Sequence, residues 1–183
     1  MLVYVHLADG FEEIEALTQV DLLRRAGVDA KTVSIMGRRE VTGAHGVRVY
    51  ADIVFAEADY DSCEMIVLPG GLPGATNLAA HEGLREKLLD FAGAGKRIAA
   101  ICASPAAILA PLGILDGKKA TGYPGYEDQA LANAIRTDGD VVIDGSIITS
   151  RGPATAMPFA LALVEELCGK AGRDELAGEL LFE

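Results

Sequence analysis

Apolar runs of strand length alternate with segments of helical periodicity along most of the chain. The predicted strands are Leu2–Ala8, Ala30–Met36, Met65–Leu68, Ile98–Ile101, Val141–Ile143 and Ile147–Thr149. The predicted helices are Glu12–Ala26, Gly83–Ala94, the segment after Cys102 as far as Leu112, Thr155–Cys168 and Asp174–Leu181. This alternation predicts an α/β fold, with a mostly parallel sheet that helices cover on both faces.

Three segments depart from the alternation. From Val41 to Val54 the sequence is glycine-rich and alternates, which predicts a small antiparallel excursion with Val47, Val49 and Ala51 on one side. Asp144-Gly145-Ser146 separates the last two strands and indicates a hairpin. The stretch Gly122–Asp128 has no clear period and is predicted to be irregular.

Composition narrows the class of protein. The 183 residues, 50% hydrophobic and 23% charged, contain no linker and predict one globular domain over residues 1–183. The formal charge of −11 disfavours nucleic acid and anionic membranes as partners. We expect no membrane span or signal peptide, because no apolar run approaches about 18 residues and the N-terminus lacks a basic segment.

The number and spacing of the cysteines indicate the cellular compartment. The three cysteines are an odd number at irregular spacing, so they predict no disulfide framework, and no Cys/His cluster has metal-ligand spacing. We therefore expect a protein of the reducing cytoplasm without a bound metal.

Cys102 is the strongest candidate for chemistry. The buried strand Ile98–Ile101 ends at this cysteine, and Pro105 suits the first turn of a following helix. Such a nucleophile elbow places the thiol at a helix N-terminus, where the thiolate is favoured. The alternative is a small buried core residue, because free cysteines are often buried.

Three loops are expected to meet near Cys102, because each follows a predicted strand of a parallel sheet. They are Asp9–Glu15, Pro69–Gly74 and the turn at Cys102 itself. The glycine loop lacks the phosphate-binding patterns. It predicts a tight turn with exposed backbone N–H groups, as an oxyanion site needs.

Glu12, Glu13 and Glu15 begin the first predicted helix. Acidic residues in a first turn are favourable merely because they complement the helix dipole, and this accounts for all three. Glu15, however, borders the apolar face and is predicted to point toward Cys102. A desolvated carboxyl there would be protonated near neutral pH and could donate a proton or a hydrogen bond.

Four motifs together resemble the DJ-1 (ThiJ/PfpI) superfamily. In this order and spacing they are GFEEIE at 10–15, VLPGG at 67–71, AICASP at 100–105 and TSRGP at 149–153. The resemblance extends from Leu2 to about Leu181 and is closest to the branch that contains a parkinsonism-associated member and its bacterial relatives. It implies a flavodoxin-like three-layer α/β/α sandwich and a homodimer.

The same resemblance implies a set of site residues. Cys102 would be a nucleophilic, readily oxidised cysteine and Glu15 its partner. Gly70, Gly71 and Ala103 would line the anion-stabilising pocket, with Arg151 and Pro153 at its rim. Tyr123 stands where many glyoxalase-like or deglycase-like relatives have a histidine, so it is a candidate assistant to the Cys102–Glu15 pair.

Two sister activities are disfavoured by what surrounds the cysteine. All three histidines, His6, His45 and His81, precede Cys102, whereas a glutamine-amidotransferase arrangement needs one after it. The protease-like branch has histidine directly after the cysteine, and this chain has Ala103.

The resemblance implies a cofactor-free, glutathione-independent glyoxalase or deglycase. Its substrates would be α-oxoaldehydes such as methylglyoxal or their protein adducts, as in defence against oxidative and carbonyl stress. The alternative is a non-catalytic redox sensor or chaperone in which Cys102 is oxidised to a sulfinate. A third hypothesis is a biosynthetic reaction on a thiazole phosphate.

The other cysteines and histidines are interpreted as scaffold. Cys63 follows acidic residues that would raise its pKa, and Cys168 is expected to face the core. His81 is expected to be solvated. His45 lies in the antiparallel excursion, which is a candidate dimer edge.

Overall fold

The computed structural model describes residues 1–125 and 133–182. The strands are β1 (Leu2–Leu7), β2 (Asp29–Ser34), β3 (Glu40–Thr42), β4 (Arg48–Tyr50), β5 (Ile53–Val54), β6 (Cys63–Leu68), β7 (Arg97–Ile101), β8 (Lys119–Ala120), β9 (Ile135–Arg136), β10 (Val141–Asp144) and β11 (Ile147–Ser150). The helices are α1 (Glu13–Arg25), α2 (Gly74–Ala80), α3 (Glu82–Ala94) and α4 (Ala156–Glu179).

Seven of the described strands form the main sheet, in the order β10, β11, β7, β6, β1, β2, β5. Every neighbouring pair in this sheet is parallel except β10 and β11, which form an antiparallel hairpin at one edge. β1, β6 and β7 therefore lie side by side near the centre, and their carboxyl ends open on the same edge of the sheet.

Alternate residues of the central strands enter two separate cores. Val3, Val5 and Leu7 of β1 pack with residues of α1 and α4 on one face. On the other face, Tyr4 packs with α2, α3 and residues 106–115. Because both faces are buried, these strands are continuous apolar runs. The predicted mostly parallel α/β/α sandwich is confirmed.

The antiparallel excursion is confirmed only in part. β3 and β4 pair antiparallel with Val41 opposite Val49, but β5 leaves the hairpin and pairs parallel with β2. The expected common side of Val47, Val49 and Ala51 is wrong for Val47, which is exposed. Val47 belongs to the turn before β4, where its carbonyl accepts from the Gly43 N–H at 2.8 Å.

The segment after Cys102 differs from the predicted α-helix. Residues Pro105–Leu109 form a π-type turn and Ala110–Leu112 a 3-10 turn. Pro111 has no N–H to donate to the Ala107 carbonyl, so an α-helix cannot continue through it.

The C-terminal helical region lies close to its prediction. Thr155–Cys168 and Asp174–Leu181 were separate predicted helices, and α4 covers most of both, with non-helical backbone at Gly169. Helix α2 and the short pair β8 and β9 were not predicted. Residues 126–128 of the predicted irregular stretch lie outside the described residues. None of the described helices is both long and apolar enough to cross a membrane.

Candidate active site

Cys102 occupies a strained turn at the carboxyl end of β7. Its φ of 64° lies in the left-handed region, which costs a non-glycine residue about 1–3 kcal/mol. Two backbone hydrogen bonds to other segments of the chain hold Cys102 in this conformation. The Cys102 N–H donates to the Ser150 carbonyl at 3.0 Å, and the Cys102 carbonyl accepts from the Tyr123 N–H at 2.8 Å. The structure thus has the sharp turn that the sequence predicts.

Glu15 lies beside the Cys102 side chain. Glu15 belongs to α1 and is completely buried, and its Oε2 accepts the Gly70 N–H at 2.7 Å. The carboxyl is also close enough to the Cys102 thiol for the two groups to shift each other's pKa. Gly70 makes this contact possible, because a Cβ at that position would lie 2.6 Å from the Cys102 Cβ and 2.7 Å from Glu15 Oε2.

The three predicted loops meet at this pair. The Glu12 N–H donates to the Gly70 carbonyl at 2.9 Å, which ties the loop after β1 to the loop after β6. Ser104 Oγ donates to the Pro69 carbonyl at 2.6 Å and ties the Cys102 turn to the same loop. Gly71, with φ of 87°, has no room for a Cβ, which would lie 2.4 Å from the Glu12 nitrogen. The pair therefore lies in a fixed backbone frame.

Burial raises the pKa values of both partners. It raises the pKa of Glu15 to about 7, against the lowering effect of hydrogen bonds from Gly70 and Cys102. It raises the pKa of Cys102 to about 12, and the negative charge of Glu15 adds to the shift. The hydrogen bonds from the backbone N–H groups of Ala103 and Gly71 lower the pKa of Cys102.

These shifts correct one expectation. A helix N-terminus was expected to favour the Cys102 thiolate, but burial and the Glu15 carboxylate outweigh the backbone N–H groups. The resting pair is therefore a thiol that donates to a carboxylate above a pH of about 7.

A cleft of about 350 Å³ holds the other predicted rim residues. It is lined by Tyr123, Pro124, Asp140, Arg151, Gly152, Pro153, Ala154 and Thr155. The Tyr123 N–H bonds to the Cys102 carbonyl, so one wall of the cleft is attached to the elbow. Arg151 Nη1 lies 3.8 Å from Asp140 Oδ1. Of the predicted residues, Gly70, Gly71 and Ala103 thus surround Cys102, whereas Tyr123, Arg151 and Pro153 line this cleft.

Glu12 and Glu13 have a partner that sequence reasoning missed. Glu13 Oε1 accepts the backbone N–H of His45 at 2.8 Å, and Glu13 Oε2 lies 2.8 Å from His45 Nδ1. Glu12 Oε2 lies 3.5 Å from the same ring nitrogen. The hydrogen bond that the Glu13 carboxylate accepts from the imidazole is the largest cause of the raised pKa of His45. No local pattern links residues so far apart in sequence.

The remaining cysteines lie away from this site. Cys63 is buried, and burial more than its acidic neighbours raises its pKa to about 11. Cys168 is half-buried and packs against the core, as expected.

His81 is not the solvated side chain that the sequence predicted. Its Nδ1 accepts the Leu84 N–H at 3.1 Å as the N-cap of α3. Its ring packs on Phe55 with 4.5 Å between centroids.

The chain matches the family model described as the DJ-1/PfpI family over residues 1–166. It is 40% identical over 182 residues to the Parkinson disease protein 7 homolog of Danio rerio, which covers 98% of this chain and 96% of the relative. Protein DJ-1 homolog A of Arabidopsis thaliana is 38% identical over 98% of this chain, which spans 46% of that relative. The chain thus has about half the length of this plant relative.

Two further proteins bear on chemistry and fold. A protein named as a deglycase from Pyrococcus abyssi is 34% identical over 158 residues, covering 84% of this chain and 91% of the relative. A structure described as oxidized Toxoplasma gondii DJ-1 superposes with a TM-score of 0.94 and 39% identity, covering 99% of this chain and 98% of the other.

Proposed function

The chain belongs to the DJ-1/PfpI family, and on this premise we propose that it is a cysteine-dependent enzyme for α-oxoaldehydes or their early protein adducts. Methylglyoxal is a small substrate of this class. The observation that carries the proposal is the completely buried Glu15 carboxyl, which lies beside the Cys102 thiol at a strained turn. The relative named as a deglycase supports the same chemistry.

The first step is addition of Cys102 to the aldehyde carbon. Glu15 takes the thiol proton as the sulfur attacks, so its pKa near 7 suits a general base at neutral pH. The carbonyl oxygen becomes an oxyanion, and the N–H groups of Gly71 and Ala103, which act on the Cys102 sulfur in the free protein, would stabilise it. Protonation of this oxygen gives a hemithioacetal.

The second step moves a proton between adjacent carbons. Glu15 removes the proton from the carbon that bears sulfur and returns one to the neighbouring carbon, which gives a thioester. Water then cleaves the carbon–sulfur bond, releasing lactate from methylglyoxal and restoring the thiol. For an adduct on a protein amine or thiol, the Cys102 sulfur would instead bond to the former aldehyde carbon as its bond to the protein nitrogen or sulfur breaks. Glu15, having taken the thiol proton, would pass it to the departing protein group, which leaves the same hemithioacetal on Cys102. Every step uses groups of this chain and water, so the proposal needs no cofactor.

Turnover of methylglyoxal without glutathione tests this proposal. We expect many equivalents of lactate per chain from the wild type and none above background from Cys102→Ala. Cys63→Ala is the matched control, because Cys63 is buried away from the cleft, and it should keep wild-type turnover. Equal turnover by the Cys102→Ala protein would overturn the proposal.

Oxidation of Cys102 is a second candidate function. Glu15 Oε1 is buried without a hydrogen-bond partner among the described residues, so a protonated Glu15 has a donor site to offer a sulfinate oxygen. A relative has been described in an oxidized state. Peroxide would convert the thiolate to sulfenate and then sulfinate, with one water released at each step.

Peroxide treatment distinguishes the two candidates. A sensor in the reducing cytoplasm would consume about two equivalents of peroxide per chain, gain the mass of two oxygen atoms at Cys102 and show no methylglyoxal turnover. An enzyme would turn over methylglyoxal and lose that turnover on oxidation.

A further inference from the structure

Ser104 follows Cys102 by two residues and is completely buried, but the proposed reaction gives it no role. Serine hydroxyls in helical turns commonly bond to a carbonyl three or four residues earlier in the chain. The Ser104 Oγ donates instead to the Pro69 carbonyl at 2.6 Å, in a loop 35 residues away. This hydrogen bond therefore links two of the loops that form the active site.

The peptide group between Pro69 and Gly70 takes part in two hydrogen bonds. Its carbonyl accepts from the Ser104 hydroxyl, and its N–H donates to Glu15 Oε2 at 2.7 Å. Because the amide is conjugated, donation to the oxygen makes the N–H a stronger donor, and hydrogen bonds in such chains strengthen one another. The Ser104 hydroxyl is thus coupled to the Glu15 carboxyl through a single peptide.

The hydrogen bonds around this peptide also fix its orientation. The Gly70 carbonyl accepts the Glu12 N–H at 2.9 Å, and a Cβ at Gly70 would lie 2.6 Å from the Cys102 Cβ. Ser104 belongs to the same turn as Cys102. Its hydrogen bond therefore sets the position of that turn relative to the peptide that contacts Glu15.

We propose that Ser104 is a positioning residue: its hydroxyl orients and polarises the Pro69–Gly70 peptide, which in turn holds Glu15 as a carboxylate. The catalytic consequence rests on the proposed function, in which Glu15 takes the thiol proton. The hydrogen bond from Gly70 lowers the pKa of Glu15, against the burial that raises it to about 7. Without the Ser104 hydroxyl this bond is weaker, so the pKa of Glu15 rises and less of the base is ready at neutral pH.

Two titratable side chains, Cys102 and Glu12, shift the pKa of Glu15 in the part of the chain that the structure describes. Both are unchanged when Ser104 is replaced. The loop Pro69–Gly74 and residues 103–105 contain no titratable side chain. A changed titration of Glu15 in a Ser104 variant would therefore report on the peptide.

An NMR titration of the glutamate side-chain carboxyl carbons tests the proposal on the full chain. The Glu15 signal is identified by its loss in Glu15→Gln. We expect its midpoint near pH 7 in the wild type and roughly half a pH unit higher in Ser104→Ala, because a charge-assisted hydrogen bond loses its cooperative part. Ser104→Thr keeps a hydroxyl and should restore the wild-type midpoint.

Ser34→Ala is the matched control. Ser34 is also completely buried, and its Oγ accepts the Met36 N–H at 3.1 Å at the end of β2. The substitution removes a hydroxyl with a backbone partner, but it should leave the midpoint of Glu15 unchanged. Melting midpoints show which variants fold, and Ser104→Gly provides a second protein without the hydroxyl.

Equal Glu15 midpoints in the wild type and in a folded protein without the hydroxyl would overturn the proposal. Ser104 would then only satisfy the Pro69 carbonyl. The titration uses no substrate, so its result does not depend on whether the chain turns over methylglyoxal. With turnover, the acid limb of kcat/KM against pH should move upward in Ser104→Ala by the same amount as the midpoint.

Discussion

Glu15 has two chemical roles that different substitutions separate. Glu15→Gln keeps the size of the side chain and an acceptor for the Gly70 N–H, but an amide cannot take the proton of the thiol. We expect it to lose on the order of a hundredfold or more in methylglyoxal turnover while the chain stays folded. Glu15→Asp keeps the base but withdraws it by one methylene, and it should retain more turnover than the amide. Near wild-type turnover in both variants would leave Cys102 without its assigned base.

The same carboxylate controls the reactivity of the cysteine. Its negative charge raises the pKa of Cys102, so Glu15→Gln should lower that pKa. Iodoacetamide labelling followed against pH should therefore have a lower midpoint in Glu15→Gln than in the wild type.

Mass spectrometry of the labelled native protein adds a site-specific check. We expect Cys102 to label faster than Cys63, which is completely buried, and faster than Cys168, because Glu15 beside Cys102 can take the thiol proton as the sulfur reacts. Faster labelling of Cys63 or Cys168 would contradict the role of Glu15 as the base that activates Cys102.

His6 lies on the face of the sheet opposite to α1, and it makes the stability of the fold depend on pH. It is completely buried, and its Nε2 lies 2.7 Å from the Tyr60 hydroxyl. Burial lowers its pKa from 6.5 to about 3. Below pH 6.5 the unfolded chain therefore binds a proton at His6 that the folded chain excludes, and stability falls until the pH approaches 3.

We expect His6→Gln to reduce this acid sensitivity. Glutamine does not titrate and can still bond to the Tyr60 hydroxyl. The variant's unfolding free energy, measured by urea denaturation, should fall less than that of the wild type between pH 6.5 and 4. Parallel curves for the two proteins would mean that His6 is protonated in the folded state.

Among the elements, the loop after β6 depends on one glycine for its function. In Gly70→Ala the new Cβ would overlap both Cys102 and Glu15, so at least one of them must move. We expect a large loss of turnover with the fold retained. Gly93→Ala is the matched control, since nothing lies within 4 Å of its Cβ on the exposed face of α3. It should keep full turnover and gain roughly 0.5–1 kcal/mol in stability.

The elements differ in how well their sequences predict them. The buried strands β1, β6 and β7 were predictable, because burial on both faces requires continuous apolar runs. The seven residues of α2 are too few to show a helical period, so this helix was missed. Cys102 and Glu15 could be proposed from strand ends and a helix face. The contact of His45 with Glu13 depends on how the β3–β4 hairpin folds over α1, and no local pattern encodes that approach.

At the scale of the whole molecule, one apolar surface has no partner among residues 1–125 and 133–182. Ile14 and Leu17 of α1 are exposed, as are Val47 and Tyr50 of the adjoining hairpin. The contacts of Glu13 with the His45 and Val47 N–H groups hold these two elements together. Apolar residues grouped in this way mark an interaction surface more often than scattered ones do.

We predict that two copies of the chain pair through this surface in a homodimer. An isologous interface would bring the same exposed residues of both copies together, and Tyr50, 75% exposed in the single chain, would contribute the largest side chain. Light scattering should give the dimer mass for the wild type. Tyr50→Glu should shift the equilibrium toward monomer, because two buried carboxylates would face each other across the symmetry axis or lie unpaired within the contact. Leu181→Glu places the same charge at an exposed apolar position outside this surface and should leave the dimer intact. A wild-type monomer mass at all concentrations would rule out the dimer, and equal dissociation by both variants would place the interface elsewhere.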